Sequence, residues 1–242
     1  MTPVLSIRER RFSDVDTQGP MDGRCAPERK EPESSRKPER LGLKWVDSIG
    51  GSDGVRTDNV PQGEDVMIWV ARLMTAVDER PPRRAIDWPK IETRIGAALP
   101  TDYREFCERF GTGEFCDHLT VYASGGGADS ELAESQEANR QIVERYPLVM
   151  NGYRPYGLHQ PGRSVGILQW GTSSQGDEFA WLADDSKEPD TWPVLARDDA
   201  GGWRCYDMSM SEFVYRLLMD ESFEGFGGFG ATGQAPYFTP SS

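Results

Sequence analysis

The residues most suggestive of chemistry are Gly162-Arg163-Ser164-Val165-Gly166, a literal G-x-S-x-G. A nucleophile elbow must close a strand and open a helix, because that strained turn is what exposes the serine. Here the strand-like apolar run starts at Val165 and no helical pattern follows. The two histidines, His118 and His159, are the only candidates for the base, and His159 lies in a Pro/Gly loop, so a hydrolase triad ranks last among the readings. Cys107, Cys116, His118 and Cys205 could be gathered on paper into a zinc site, but they contain no C-x-x-C or H-x-x-x-H pair. These cysteines and Cys25 are expected to be reduced thiols, mostly small buried hydrophobes. Gly125-Gly126-Gly127 precedes a helical pattern as a phosphate cradle would, yet lacks the Lys-Ser/Thr of a P-loop and is read as a loop. Asp177 and Glu178 are neighbours on a strand pattern and so point to opposite faces, against shared acid–base work; both are read as part of a hairpin rim. No catalytic residue, cofactor or metal is expected.

The elements that would position these groups follow from periodicity. Apolar residues at Val66, Val70, Leu73, Met74 and Val77 predict a helix that Pro81 and Pro82 end. Asp87 caps a second, with Pro89 in its first turn, Ile91 and Ile95 inward and Gly96 as its stop. Thr101 or Asp102 caps a third, whose face is Tyr103, Phe106, Cys107 and Phe110, closed by Gly111. Leu119, Val121 and Tyr122 predict a strand; Glu131 to Tyr146 predicts a helix with Leu132, Ala138, Ile142 and Tyr146 inward. Two hairpins follow, Val165–Trp170 with Phe179–Leu182 and Trp192–Ala196 with Trp203–Met208. Ser209 or Ser211 caps a last helix with Phe213, Leu217 and Leu218 inward. Trp170, Trp181, Trp192 and Trp203 recur once per predicted strand, as cross-strand core pairs or as an exposed binding face.

Three segments result. Residues 1–64 are rich in Arg, Glu, Ser, Gly and Pro and lack periodic hydrophobics; they are expected to be a disordered leader, and Met67 is an alternative start. Residues 65–221 form one α+β domain, and 222–242 a Gly- and Phe-rich irregular tail. No run of about 18 apolar residues or export signal is present, which points to a cytoplasmic chain that does not engage membrane. The net charge is −13; the first 64 residues carry 11 basic and 12 acidic side chains, leaving 16 and 28, or −12, for the remainder. Such a field repels nucleic acid and favours a basic partner, or serves only solubility.

Read in order, Leu99-Pro100-Thr101-Asp102-Tyr103, Gly111-Thr112-Gly113, Leu168-Gln169-Trp170-Gly171-Thr172, Gly176-Asp177-Glu178-Phe179-Ala180-Trp181, Pro189-Asp190-Thr191-Trp192-Pro193-Val194, Trp203 and Met210-Ser211-Glu212-Phe213 resemble the SUKH superfamily. This Smi/Knr-type domain occurs in a fungal cell-wall regulator and in bacterial immunity proteins. The similarity covers roughly residues 85–220. It implies an antiparallel-rich central sheet packed by helices, no catalytic constellation, and neutralisation of a toxin by direct binding. A regulatory scaffold for a cellular protein, like the fungal relative, is the alternative. Candidate contacts are the loop acids Asp184, Asp185, Glu188, Asp190, Asp198 and Asp199, whose other reading is a solvated rim.

Overall fold

Most helices start where the sequence supplies an acceptor. The computed structural model describes residues 64–79, 82–162, 165–198, 201–223, 226 and 235–241. The expectations for the leader, for Ser164, for Asp199 and for most of the tail fall outside them. Helix α1 (Glu64–Ala76) buries Val70 and Leu73. In α2 (Trp88–Ile95), the Asp87 side chain accepts from the Lys90 amide and Gly96 ends the helix in the left-handed region. Helix α4 (Glu131–Arg145) is capped by Ser130 and α5 (Met210–Met219) by Ser209.

Two expectations for the helices need correction. Neither Thr101 nor Asp102 caps α3 (Thr101–Arg109): Thr101 is already helical, and the cap position falls on Pro100, which carries no acceptor. The buried face of α4 is Leu132, Ala133, Gln136 and Val143; Ala138 and Ile142 are half-buried and Tyr146 is exposed. The helix ends at Arg145 and the chain enters a 3-10 segment, Pro147–Tyr153, so Tyr146 leaves the helical face.

The seven strands are β1 (Gly113–Phe115), β2 (Leu119–Val121), β3 (Val165–Ser173), β4 (Glu178–Asp184), β5 (Val194–Arg197), β6 (Arg204–Tyr206) and β7 (Phe238–Pro240). They form one sheet in the order β6-β5-β4-β3-β2-β1-β7, antiparallel throughout, so the fold is α+β. Both expected hairpins are present. Strand β1 was not foreseen, and the tail, read as irregular, contributes β7. Each is three residues long and, unlike β2 or β6, lacks a paired apolar alternation or a flanking Trp to mark it.

Alternation divides the sheet's side chains between two cores. Leu168, Trp170, Phe179, Trp181, Val194 and Ala196 pack with apolar residues of α1, α2, α3 and α5. Ile167, Ala180 and Leu195 pack instead with Val143, Tyr153 and Leu158. The tryptophans are therefore not one ladder. Trp170 and Trp181 meet at 6.0 Å within the first core, Trp192 joins that core from just before β5, and Trp203, just before β6, is half-buried against the second. Cys107 and Cys116 are free thiols, whereas Cys205 is disulfide-bonded, against the expectation of reduced thiols throughout.

Candidate functional site

The acidic loops divide between opposite ends of β5, because the β4–β5 connection precedes that strand and the β5–β6 connection follows it. Along the first, each carboxylate has a different fate. Asp184 accepts from the Ser186 amide at 3.0 Å and the Ser186 hydroxyl at 2.6 Å, and pairs with Lys187 at 3.2 Å. Partial burial pushes its carboxyl upward, but the Ser186 and Lys187 bonds outweigh this and hold it below the usual aspartate value. Asp190 accepts from the Thr101 amide at 2.5 Å and hydroxyl at 2.7 Å, supplying from 89 residues away the cap that Pro100 cannot give α3. The Trp192 indole donates to the Asp184 carbonyl at 3.0 Å. Asp185 and Glu188 stay exposed on this pinned backbone.

Beneath Asp185 lies His159, wholly buried, with its Nε2 3.8 Å from Asp185 Oδ1, too far for a hydrogen bond. Burial holds its pKa below the ordinary value, opposed by Asp185 and aided by Arg140, so the ring is neutral near pH 7. At the other end of β5, Asp198 pairs with Arg204 at 3.2 Å. The five described loop acids thus do not form one patch; Asp199 lies outside the described residues.

The groups singled out for chemistry are occupied structurally. Val165 opens β3, so the G-x-S-x-G run leads into a strand and not a helix. Gly166 is required by packing, since a Cβ there would lie 2.6 Å from the His159 Cα. Asp177 is buried and accepts from the Ser173 hydroxyl at 2.6 Å, while Glu178 pairs with Arg197 at 2.6 Å across the β4–β5 ladder. In the triple-glycine loop, the Gly127 amide donates to the Ala85 carbonyl at 2.9 Å and its carbonyl accepts from Asp87 at 2.6 Å. Burial pushes the Cys107 thiol up to about 12. Among the described residues no group of three or more His, Cys, Asp or Glu is arranged to hold a metal.

Other contacts lay beyond sequence reasoning. Ser174 Oγ meets His118 Nδ1 at 2.7 Å, and the Ser174 amide donates to the His118 carbonyl at 2.8 Å, so the pair staples two turns together. The buried Asp102 accepts from the Ser211 amide at 2.7 Å, in the first turn of α5. Arg83 bonds both Glu105 and Glu108. Glu105 also pairs with Arg109 at 2.9 Å, and this i,i+4 spacing, unlike the long-range contacts, is a local signal. A groove of about 270 Å³ between α1 and α3 is lined by Val70, Ala71, Met74, Thr75, Glu79, Glu105 and Arg109, below the size of most ligand pockets. No helix of the described residues is long and apolar enough to cross a membrane. Comparison with protein-family models, with curated proteins and with solved structures yields no match, so the family resemblance rests on the residues of this chain alone.

Proposed function

We propose that the chain is a non-enzymatic binding protein of the immunity type, which neutralises a basic, nuclease-like toxin domain by covering it. The β4–β5 connection carries this reading. Its backbone is pinned by Trp192 and by the Asp190–Thr101 bonds, while Asp185 and Glu188 remain exposed. A loop ordered before binding loses little conformational freedom on association, and its charge speeds the encounter with a cationic surface. The net charge of −13 extends that attraction beyond the loop. The structural use of Asp177, Glu178 and Cys107 supports binding over catalysis.

The deciding experiment is co-expression with, and stopped-flow association to, a toxin encoded beside this chain. Protection of cells with direct association is the expected outcome; neither would occur if the reading is wrong. A gene neighbourhood without a toxin would favour the scaffold alternative.

A further inference from the structure

The edge of β1 receives an extended chain. Residues 235–241 fill it in the register Gly113↔Pro240, Glu114↔Thr239 and Phe115↔Phe238. The Cys116 amide donates to the Tyr237 carbonyl at 3.0 Å, and the Ser241 amide to the Thr112 carbonyl at 3.0 Å. The Phe238 ring sits 5.1 Å from that of Phe110 and 4.9 Å from that of Phe115. Gly113 leaves it room, since a Cβ there would lie 2.4 Å from the ring and 2.5 Å from the Thr239 carbonyl oxygen. Phe238 is the segment's one buried side chain; Tyr237, Thr239, Pro240 and Ser241 are exposed.

The three-residue ladder with its two flanking amide bonds, the Tyr237 hydroxyl donating to Asp117 at 2.9 Å, and one ring must therefore offset the ordering of a whole segment. The strand ends at Pro240, and beyond it, among the described residues, only the Ser241 amide reaches β1's side, at Thr112. Upstream, Phe226 is buried against Phe179 at 5.8 Å, so the chain keeps an anchor if the strand lifts. Lifting bares β1 as a sheet edge with unpaired backbone groups beside an aromatic pocket, the arrangement that takes an added strand.

We infer that β7 is a detachable strap, and that the groove beneath it accepts an extended segment of a protein partner bearing an uncharged aromatic ring at the Phe238 position. The strap's own seating shows the chemistry required: strand hydrogen bonds to Thr112 and Cys116, and a ring between Phe110 and Phe115. This edge lies three strands from β4, so the inference stands apart from the acidic loop.

Two measurements test it. In hydrogen exchange on the unmodified chain, the amides of Cys116 and Ser241 should exchange at least about a hundredfold faster than those of Tyr122 and Ile167. Equal protection would overturn the strap. In fluorescence anisotropy, a labelled peptide spanning residues 234–242 should bind saturably to a chain ending at Gly233. It should bind the full chain at least about tenfold more weakly, because the tethered strap competes at high effective concentration. The same peptide carrying Phe238→Ala should not bind. The inference fails if the folded, shortened chain ignores the peptide, or if both chains bind it equally. It fails too if the shortened chain unfolds, since a detachable strap is not essential to the fold.

Discussion

Asp190 and Asp102 both serve helix amino termini, one at the surface and one in the interior, and the difference sets what each does for stability. Asp190→Ala removes the acceptor for Thr101 and should cost about 1 kcal/mol, the usual worth of a cap, read as a lower urea midpoint. It should leave partner association nearly unchanged if Asp185 and Glu188 carry the contact. Asp102 has its pKa raised by burial, with the Ser211 bonds working against the shift. Its contribution is fully present below the unfolded value of 3.8 and is lost as pH rises toward the raised folded value. His159 runs the other way. Burial lowers its pKa, so the unfolded chain takes up the proton more readily than the folded one. Stability present above 6.5 is therefore lost as pH falls from there through the lowered folded value, and His118, lowered by burial as well, adds in the same direction. His159→Leu should flatten the fall in urea midpoint between about pH 7 and pH 5. An unchanged profile would assign the acid sensitivity elsewhere.

At the scale of elements, the two cores make unequal demands on residues of one type. Trp192, buried in the larger core, should cost about 3–5 kcal/mol on replacement by alanine. Trp203 is half-buried, donates to the Gly152 carbonyl at 3.0 Å and lies under the Arg197 guanidinium at 4.5 Å. Trp203→Ala should cost nearer 1–2 kcal/mol. Matching losses in chemical denaturation would contradict the division of the sheet into two faces. The elements best read from sequence were those with local punctuation, such as α2 between Asp87 and Gly96, or the β3–β4 hairpin around Gly176. Strand β7 is not legible, since its partner β1 lies 120 or more positions away, and β1 offers only Gly113 and Phe115 on its buried side, without an apolar run or a turn signal to mark it. The inward face of α4 was misjudged for a related reason. A helical period shows which residues align, but the position of the sheet decides which of them is covered.

For the whole molecule, charge and rigidity act together. If the acidic field guides association, replacing Asp185 and Glu188 with their amides should slow the on-rate severalfold at low salt without moving the melting temperature. Raising salt from 0.1 M to 1 M shortens the Debye length from about 10 Å to about 3 Å and should slow the native chain in the same sense. A salt-independent on-rate would leave the surface charge as a solubility feature. Composition showed this field, and the loop acids could be named from the turns that hold them. Their division between two ends of β5, and the commitment of Asp184, Asp190 and Asp198 to internal bonds, follow from folded geometry that no local pattern encodes. The two caps also bear on how the chain reaches and leaves this fold. Asp190 meets Thr101 across 89 positions and Asp102 meets Ser211 across 109. Closing such loops is entropically expensive, so these bonds should form only after the rate-limiting barrier to folding. Loss of the Asp190 cap should then leave the refolding arm of a chevron plot in place and raise the unfolding rate about fivefold, making these carboxylates latches on lifetime and not guides to assembly.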